Sequence, residues 1–214
     1  MEPTNGWMDP EYIEEDSKVV AKSSSKLFTL SALVQAYSWS LLGEADPISN
    51  PNAEMFRKVA ERHAFVSWFW QHISHLFGSL WVPPDPDRPG SALAGPKRLE
   101  YLDARRHERN IAFQASFLQA IGRLGFALGE IYNFTPSQSV EAKLERLAAQ
   151  DWKAYAGADP EGRDLNAWQP RYTQAFMKPH VERSTGEVDG WVFDHGSETL
   201  RAGEKLLLSL LDLD

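Results

Sequence analysis

Four arginines, Arg98, Arg105, Arg109 and Arg123, offer the most explicit chemistry in this chain. If the stretch from Pro96 to Ile131 is one helix, their spacings of seven, four and fourteen put them on one stripe at about 100° per residue, and no acid interrupts it. Guanidinium groups in a row suit phosphate, which each can grip through two parallel hydrogen bonds. Lys97 stands beside the stripe. Lys97, Arg98, Arg105 and Arg109 are therefore the candidate nucleic-acid contacts, set against the plainer reading of a solvated helix face. Arg123 lies between Gly122 and Gly125, a position that suits helix packing and an internal ion pair better than an outside ligand.

Other reactive side chains pair up without forming a recognisable site. His72 and His75 are three apart on one helical segment, but no acid or third histidine joins their face, so core or interface histidines are favoured over metal ligands. Asp103 and His107, one turn apart, could form an acid-base pair; a surface ion pair is the simpler account. Asp194-His195 precedes the last helix, where capping explains it. The chain has no phosphate-cradling glycine loop with its lysine, no nucleophile serine on a strand-to-helix turn and no paired-histidine metalloprotease helix. The expectation is a protein without catalytic residues, metal or cofactor.

These groups must be carried by helices. With 214 residues, 43% of them apolar, the chain can build one ordinary core or two small ones sharing an interface. Lys26 to Leu41 repeats apolar residues at threes and fours, with Ser25 placed to cap and Gly43 to stop it. Asn50-Pro51 opens a second helix reaching Trp81, apolar nearly all round. Its Trp68, Trp70, Phe77 and Trp81 suggest deep burial or a partner surface, and base stacking ranks below core packing for them. A membrane span is disfavoured, because spanning needs about twenty apolar residues and His63, Gln71, His72 and His75 interrupt this run. The proline-rich stretch 83–96 reads as an exposed hinge. In the long helix after it, Gly122, Gly125 and Gly129 share a face, which predicts close approach of another helix backbone. Thr135-Pro136-Ser137-Gln138 has the form of a capping box opening a helix through Val140, Leu144, Leu147 and on to Trp152. Periodicity fails between Gly157 and Gly196, where Val181 to Val188 around Ser184-Thr185-Gly186 could be a hairpin, with Trp168, Tyr172, Phe176 and Trp191 as anchors. Ser197 caps a last helix through Leu210. The predicted class is mainly all-α: a multi-helix bundle around a long central helix, as a single helical domain over 25–214 behind a flexible acidic arm at 1–24.

Charge restricts the partners. The net charge of −8 has the wrong sign for a generic nucleic-acid coat, so any DNA contact should be limited and salt-sensitive. Half of that excess sits in the arm, where six acids face only Lys18 and Lys22. Absence of cysteine fits a reducing cytoplasm, and Met1-Glu2-Pro3-Thr4 opens no secretory signal, so a cytoplasmic location is expected.

Three blocks, taken in order, resemble a known family: Ser25-Lys26-Leu27-Phe28-Thr29-Leu30-Ser31-Ala32-Leu33, Phe117-Leu118-Gln119-Ala120-Ile121-Gly122-Arg123-Leu124-Gly125, and Leu147-Ala148-Ala149-Gln150-Asp151-Trp152, followed by Trp168 and a leucine-rich closing helix. Together they resemble the DndB-type DNA sulfur modification proteins, within the wider set of DGQHR-domain proteins of DNA-modification and phage-defence loci. The motif Asp-Gly-Gln-His-Arg is absent here, so the chain is similar to the C-terminal helical half alone. The resemblance implies regulation of a phosphorothioation operon by DNA binding, or association with the modification machinery. The alternative is a protein-interaction module that pairs with a separate DGQHR half or a modification enzyme, through the Phe65 to Trp81 surface and the glycine face, without DNA binding of its own.

Overall fold

The computed structural model describes residues 10–17, 19–21, 24–44, 52–107, 110–153 and 170–213. Among them the chain is mainly helical: α1 (Leu30–Leu42), α2 (Ala53–Trp81), α3 (Gly95–His107), α4 (Ala115–Ile131), α5 (Gln138–Ala148), α6 (Pro170–Phe176) and α7 (Ser197–Leu210). Two short ladders complete it, a parallel pair β1 (Ile13–Glu14) with β2 (Phe28–Thr29), and an antiparallel hairpin β3 (Met177–Val181) with β4 (Val188–Phe193). The buried side chains form one hydrophobic cluster reaching from Tyr12 to Leu211.

The single helix expected over Pro96–Ile131 is corrected to two. α3 ends at His107, and Asn110 caps a 3-10 turn, Ile111–Phe113, by accepting a hydrogen bond from the Ala112 amide at 3.0 Å. Asparagine competes with helix by bonding its own nearby backbone. The Ile111 amide donates outward to the Trp152 carbonyl at 2.7 Å, a partner no continuous helix would offer it. Ile111, Ala112 and Phe113 then bury in the core, and the chain re-enters helix at Ala115.

α4 packs most extensively on α1 and α7. Gly122 meets the predicted requirement, because a Cβ there would collide with the Ala36 carbonyl oxygen of α1. Gly125 answers to a different neighbour, since its Cβ would stand 2.7 Å from the Phe69 ring. α2 supplies the aromatic wall. Trp70 Nε1 donates to Ser40 Oγ at 2.9 Å and Trp81 Nε1 to the Ala112 carbonyl at 2.9 Å, so both indoles bury without leaving a polar atom unpaired. Phe77 stacks on Trp81 and meets Phe117 edge-on.

Helix ends explain most boundary differences. Thr29, not Ser25, caps α1 by accepting from the Ala32 amide, because Phe28 and Thr29 are drawn into β2. Gly43 stops α1 at φ +77°, as expected of a residue without a Cβ. Asn52 caps α2, one residue past the predicted Asn50-Pro51 opening, which lies outside the described residues. Ser137 rather than Thr135 caps α5, and α5 stops at Ala148, short of Trp152.

The described part of the segment expected as a flexible arm is bound down. Tyr12 is fully buried, the Leu27 amide donates to the Tyr12 carbonyl at 2.7 Å, and β1 pairs with β2. The stretch 83–96 is likewise tied: Pro84 bridges Ala92, and the Leu93 amide donates to the Pro83 carbonyl at 2.9 Å. The hairpin stands where periodicity failed, with Met177 opposite Phe193. Tyr172 and Phe176 anchor it in the core; Trp168 lies outside the described residues.

Candidate interaction cleft

With the central helix broken, the arginine stripe does not exist as one surface. Arg98 is only 7% exposed. Its Nη2 pairs with Glu11 at 3.0 Å, its Nε donates to the Leu93 carbonyl at 2.9 Å, and its guanidinium lies 3.9 Å over the Tyr12 ring. Lys97 bridges Asp85, at 3.2 Å, and Asp87, and the Asp87 carboxylate leads in raising the pKa of its ammonium. Arg123 pairs with Glu204 at 2.5 Å and covers the Trp39 ring, the internal ion pair its glycine setting suggested. Arg105 stacks on Tyr101 and lines a pocket of about 260 Å³ with Asn110, Gln150 and Lys153. Arg109 lies outside the described residues.

The proposed partner surface on α2 is also corrected. Trp70, Phe77 and Trp81 are interior side chains, and Trp68 is half-buried between Phe65 and His72. Their near-continuous apolar character is explained by helices covering α2 on several sides: α1, α4 and α5 all pack on it. His72 faces Glu141 of α5 at 3.4 Å. Among the described residues, no cluster of three or more histidines or acids could hold a metal ion.

A different concavity emerges. A cleft of about 970 Å³ opens between β2 with the first turns of α1, the C-terminal turns of α3, the start of α4 and the base of the hairpin. Apolar walls come from Phe28, Phe113, Val192 and Phe193. Its polar groups include amides and imidazoles, beside Asp103 and Arg106: Gln119 Nε2 donates to Gln35 Oε1 at 2.5 Å across α1 and α4, and Gln114, His107 and His195 join them. Burial lowers the His195 pKa, which keeps its ring neutral near pH 7. Asp194 beside it is held down to about 2, first by Lys178 and then by the Thr199 hydroxyl, which donates to it at 2.5 Å. Asp194 thus ties the hairpin to the start of α7, but it does not cap the helix: Gly196 stands at the cap with no side-chain bond, and Ser197, the expected cap, is the first helical residue.

Asp103 and His107 line the same cleft, with His107 Nδ1 3.4 Å from the Asp103 carboxylate. The imidazole is 77% exposed and its Nδ1 lies nearer the Asp103 backbone carbonyl, at 2.9 Å, so this is a surface contact rather than a desolvated acid-base couple. Arg106 was absent from the arginine stripe and is the residue sequence reasoning missed. It turns inward, donating to the Ser24 carbonyl at 2.8 Å and the Lys26 carbonyl at 2.6 Å. Its spacing of eight from Arg98 is two turns plus about 80°, close enough for both to meet the N-terminal segment.

No protein-family model, curated protein or solved structure matches the chain. No helix among the described residues is long and apolar enough to cross a membrane.

Proposed function

We propose that this chain is a non-catalytic accessory protein of a DNA-modification (phosphorothioation) system, working as a protein-interaction module that pairs with a separately encoded DGQHR half or a modification enzyme. The observation that carries the reading is the 970 Å³ cleft and its apolar rim. Val19 is 72% exposed on that rim, Val192 is exposed on the hairpin side, and Leu30 and Val34 stand exposed one turn apart on α1 beside cleft residues Ser31 and Gln35. Single exposed apolar residues are ordinary, but several gathered at one concavity mark a contact surface. The family resemblance supplies the kind of partner.

Direct phosphate recognition by Lys97 and Arg98 is disfavoured, because each would have to abandon its carboxylates to bind. The test is co-expression with the DGQHR-domain protein of the same locus, followed by size exclusion with light scattering. The reading predicts a stoichiometric complex that Val34→Glu with Val192→Glu dissolves. Elution of the two proteins as separate monomers would refute it.

A further inference from the structure

Two helices each contribute an amide to the cleft lining. Gln35 of α1 and Gln119 of α4 are half-buried, and Gln119 Nε2 donates to Gln35 Oε1 at 2.5 Å. Among the described residues each of these side chains bonds only the other. A primary amide carries two N–H donors and a carbonyl with two lone pairs, so the pair keeps both N–H groups and a carbonyl to offer, and flipping both amides leaves the same complement. Gln114, also half-buried on the lining, stands at the start of α4 without capping it by its side chain, which makes its amide a third group of the same kind.

Charge narrows what these amides can meet. Among the described lining residues Arg106 is the sole lysine or arginine, and it already serves the Ser24 and Lys26 carbonyls with the Asp103 carboxylate beside it. A phosphate would have to draw Arg106 from those bonds, against the repulsion of a chain of net charge −8. What the cleft offers instead is neutral hydrogen bonding among apolar side chains such as Phe28, Phe113 and Phe193. An extended polypeptide matches that mixture, because each residue brings one N–H and one C=O and successive side chains alternate in direction. Spacing agrees as well. Ser31 and Gln35 line the cleft four residues apart on α1, about 6 Å of helical rise, and like-facing groups of an extended chain repeat about every 6.6 Å. The volume of about 970 Å³ lies at the upper end of the range for small-molecule pockets, about 300–1,000 Å³, and suits a stretch of chain.

We propose that the cleft binds an extended, uncharged segment of the partner polypeptide and that the Gln35–Gln119 pair reads its backbone. One glutamine donates an N–H to a carbonyl of the segment, the other accepts from one of its amides, and apolar side chains of the segment pack on Phe28, Phe113 and Phe193. This rests on the protein-interaction reading above and adds which part of the partner is gripped, and by which bonds.

The experiment selects binders to the full-length wild type from a library of random heptapeptides, acetylated and amidated so that their ends carry no charge, and measures affinity by fluorescence anisotropy. Selected sequences should alternate apolar residues and lack Asp and Glu. Gln35→Leu combined with Gln119→Leu should weaken binding by about tenfold or more, since the peptide groups they met are left unpaired. Replacing both partners by apolar groups of similar shape is nearly neutral for folding, and circular dichroism checks this. N-methylation of single peptide amides, tested on the wild type, supplies the same readout without a variant: one position should cost about tenfold or more. Affinity should change by less than about twofold between about 50 and 300 mM salt. The proposal is overturned if no peptide is enriched, if the folded double variant binds within about twofold of wild type, if no single N-methylation weakens binding, or if binding falls steeply with salt and a single-stranded oligonucleotide displaces the peptide. Should the DGQHR-domain protein fail to co-elute while the peptide results hold, the choice of partner falls and the backbone grip stands. Should it co-elute equally with wild type and the double variant, the partner stands and the grip falls.

Discussion

α3 and α4 read in the sequence as one helix, yet they do opposite work. α4 buries ten of its seventeen residues, packed against α1, α2 and α7, and its Arg123 pairs inside the protein with Glu204. α3 buries Leu102 as its one apolar core residue and spends its cations on chain segments that would otherwise be loose: Arg98 on Glu11, Lys97 on Asp85 and Asp87, Arg106 on Ser24 and Lys26. A run of arginines on an acidic chain is thus a set of fasteners for its own backbone. Charge type and spacing did not separate that role from phosphate binding; the available carbonyls and carboxylates did.

The comparison breaks most violently at Gly122. Replacing it with alanine drives a Cβ into the Ala36 carbonyl, backbone against backbone, so α1 and α4 must separate. The expected cost is about 3 kcal/mol, seen as a lowered denaturant midpoint. On α3, Arg98→Ala removes a buried guanidinium and its carboxylate pair, an expected loss of about 2 kcal/mol with faster amide exchange around Tyr12.

The junction between the helices gives a test of sign. In one continuous helix, Asn110→Ala would stabilise by about 0.5 kcal/mol, since alanine is the better helix former. With Asn110 capping the 3-10 turn, it should destabilise by about 1 kcal/mol in urea unfolding.

Smallest is the pH response at the hairpin base. The folded pKa of Asp194, about 2, lies below its ordinary value of 3.8, so its contribution is complete above 3.8 and is lost as pH falls through 2. His195 has a lowered pKa, so the unfolded chain takes up its proton first and stability declines as pH drops below 6.5. Asp194→Asn should flatten the acid limb and His195→Gln the limb below 6.5, both followed by thermal unfolding.

Much of the helical layout was legible. α2 and α7 follow from periodicity, though not their caps, and Gly43 as a stop and the hairpin around Gly186 follow from turn chemistry at residues whose partners are near in sequence. What was not legible depends on distant partners. Asn110 looked like one polar residue within a helix until Trp152 supplied the amide acceptor that breaks it. Thr29 outcompetes Ser25 as a cap only because β1 arrives from earlier in the chain. Trp70, Phe77 and Trp81 could face a partner or a core equally well by pattern, and the helices covering α2 decide for the core. The cleft was invisible for the same reason, being assembled from six separated stretches; its sequence traces were Asp103 with His107 and the Asp194-His195 pair.

The central claim is that partner contact falls on the cleft and not on the pocket beside Arg105. Hydrogen exchange of this chain, alone and with a separately encoded DGQHR-domain protein as the proposed partner, tests it most directly. The account predicts new protection over 27–35, 103–107 and 188–195, with little change over 148–153. Protection confined to 148–153, beside Arg105 and Lys153, with 27–35 unaffected, would contradict it.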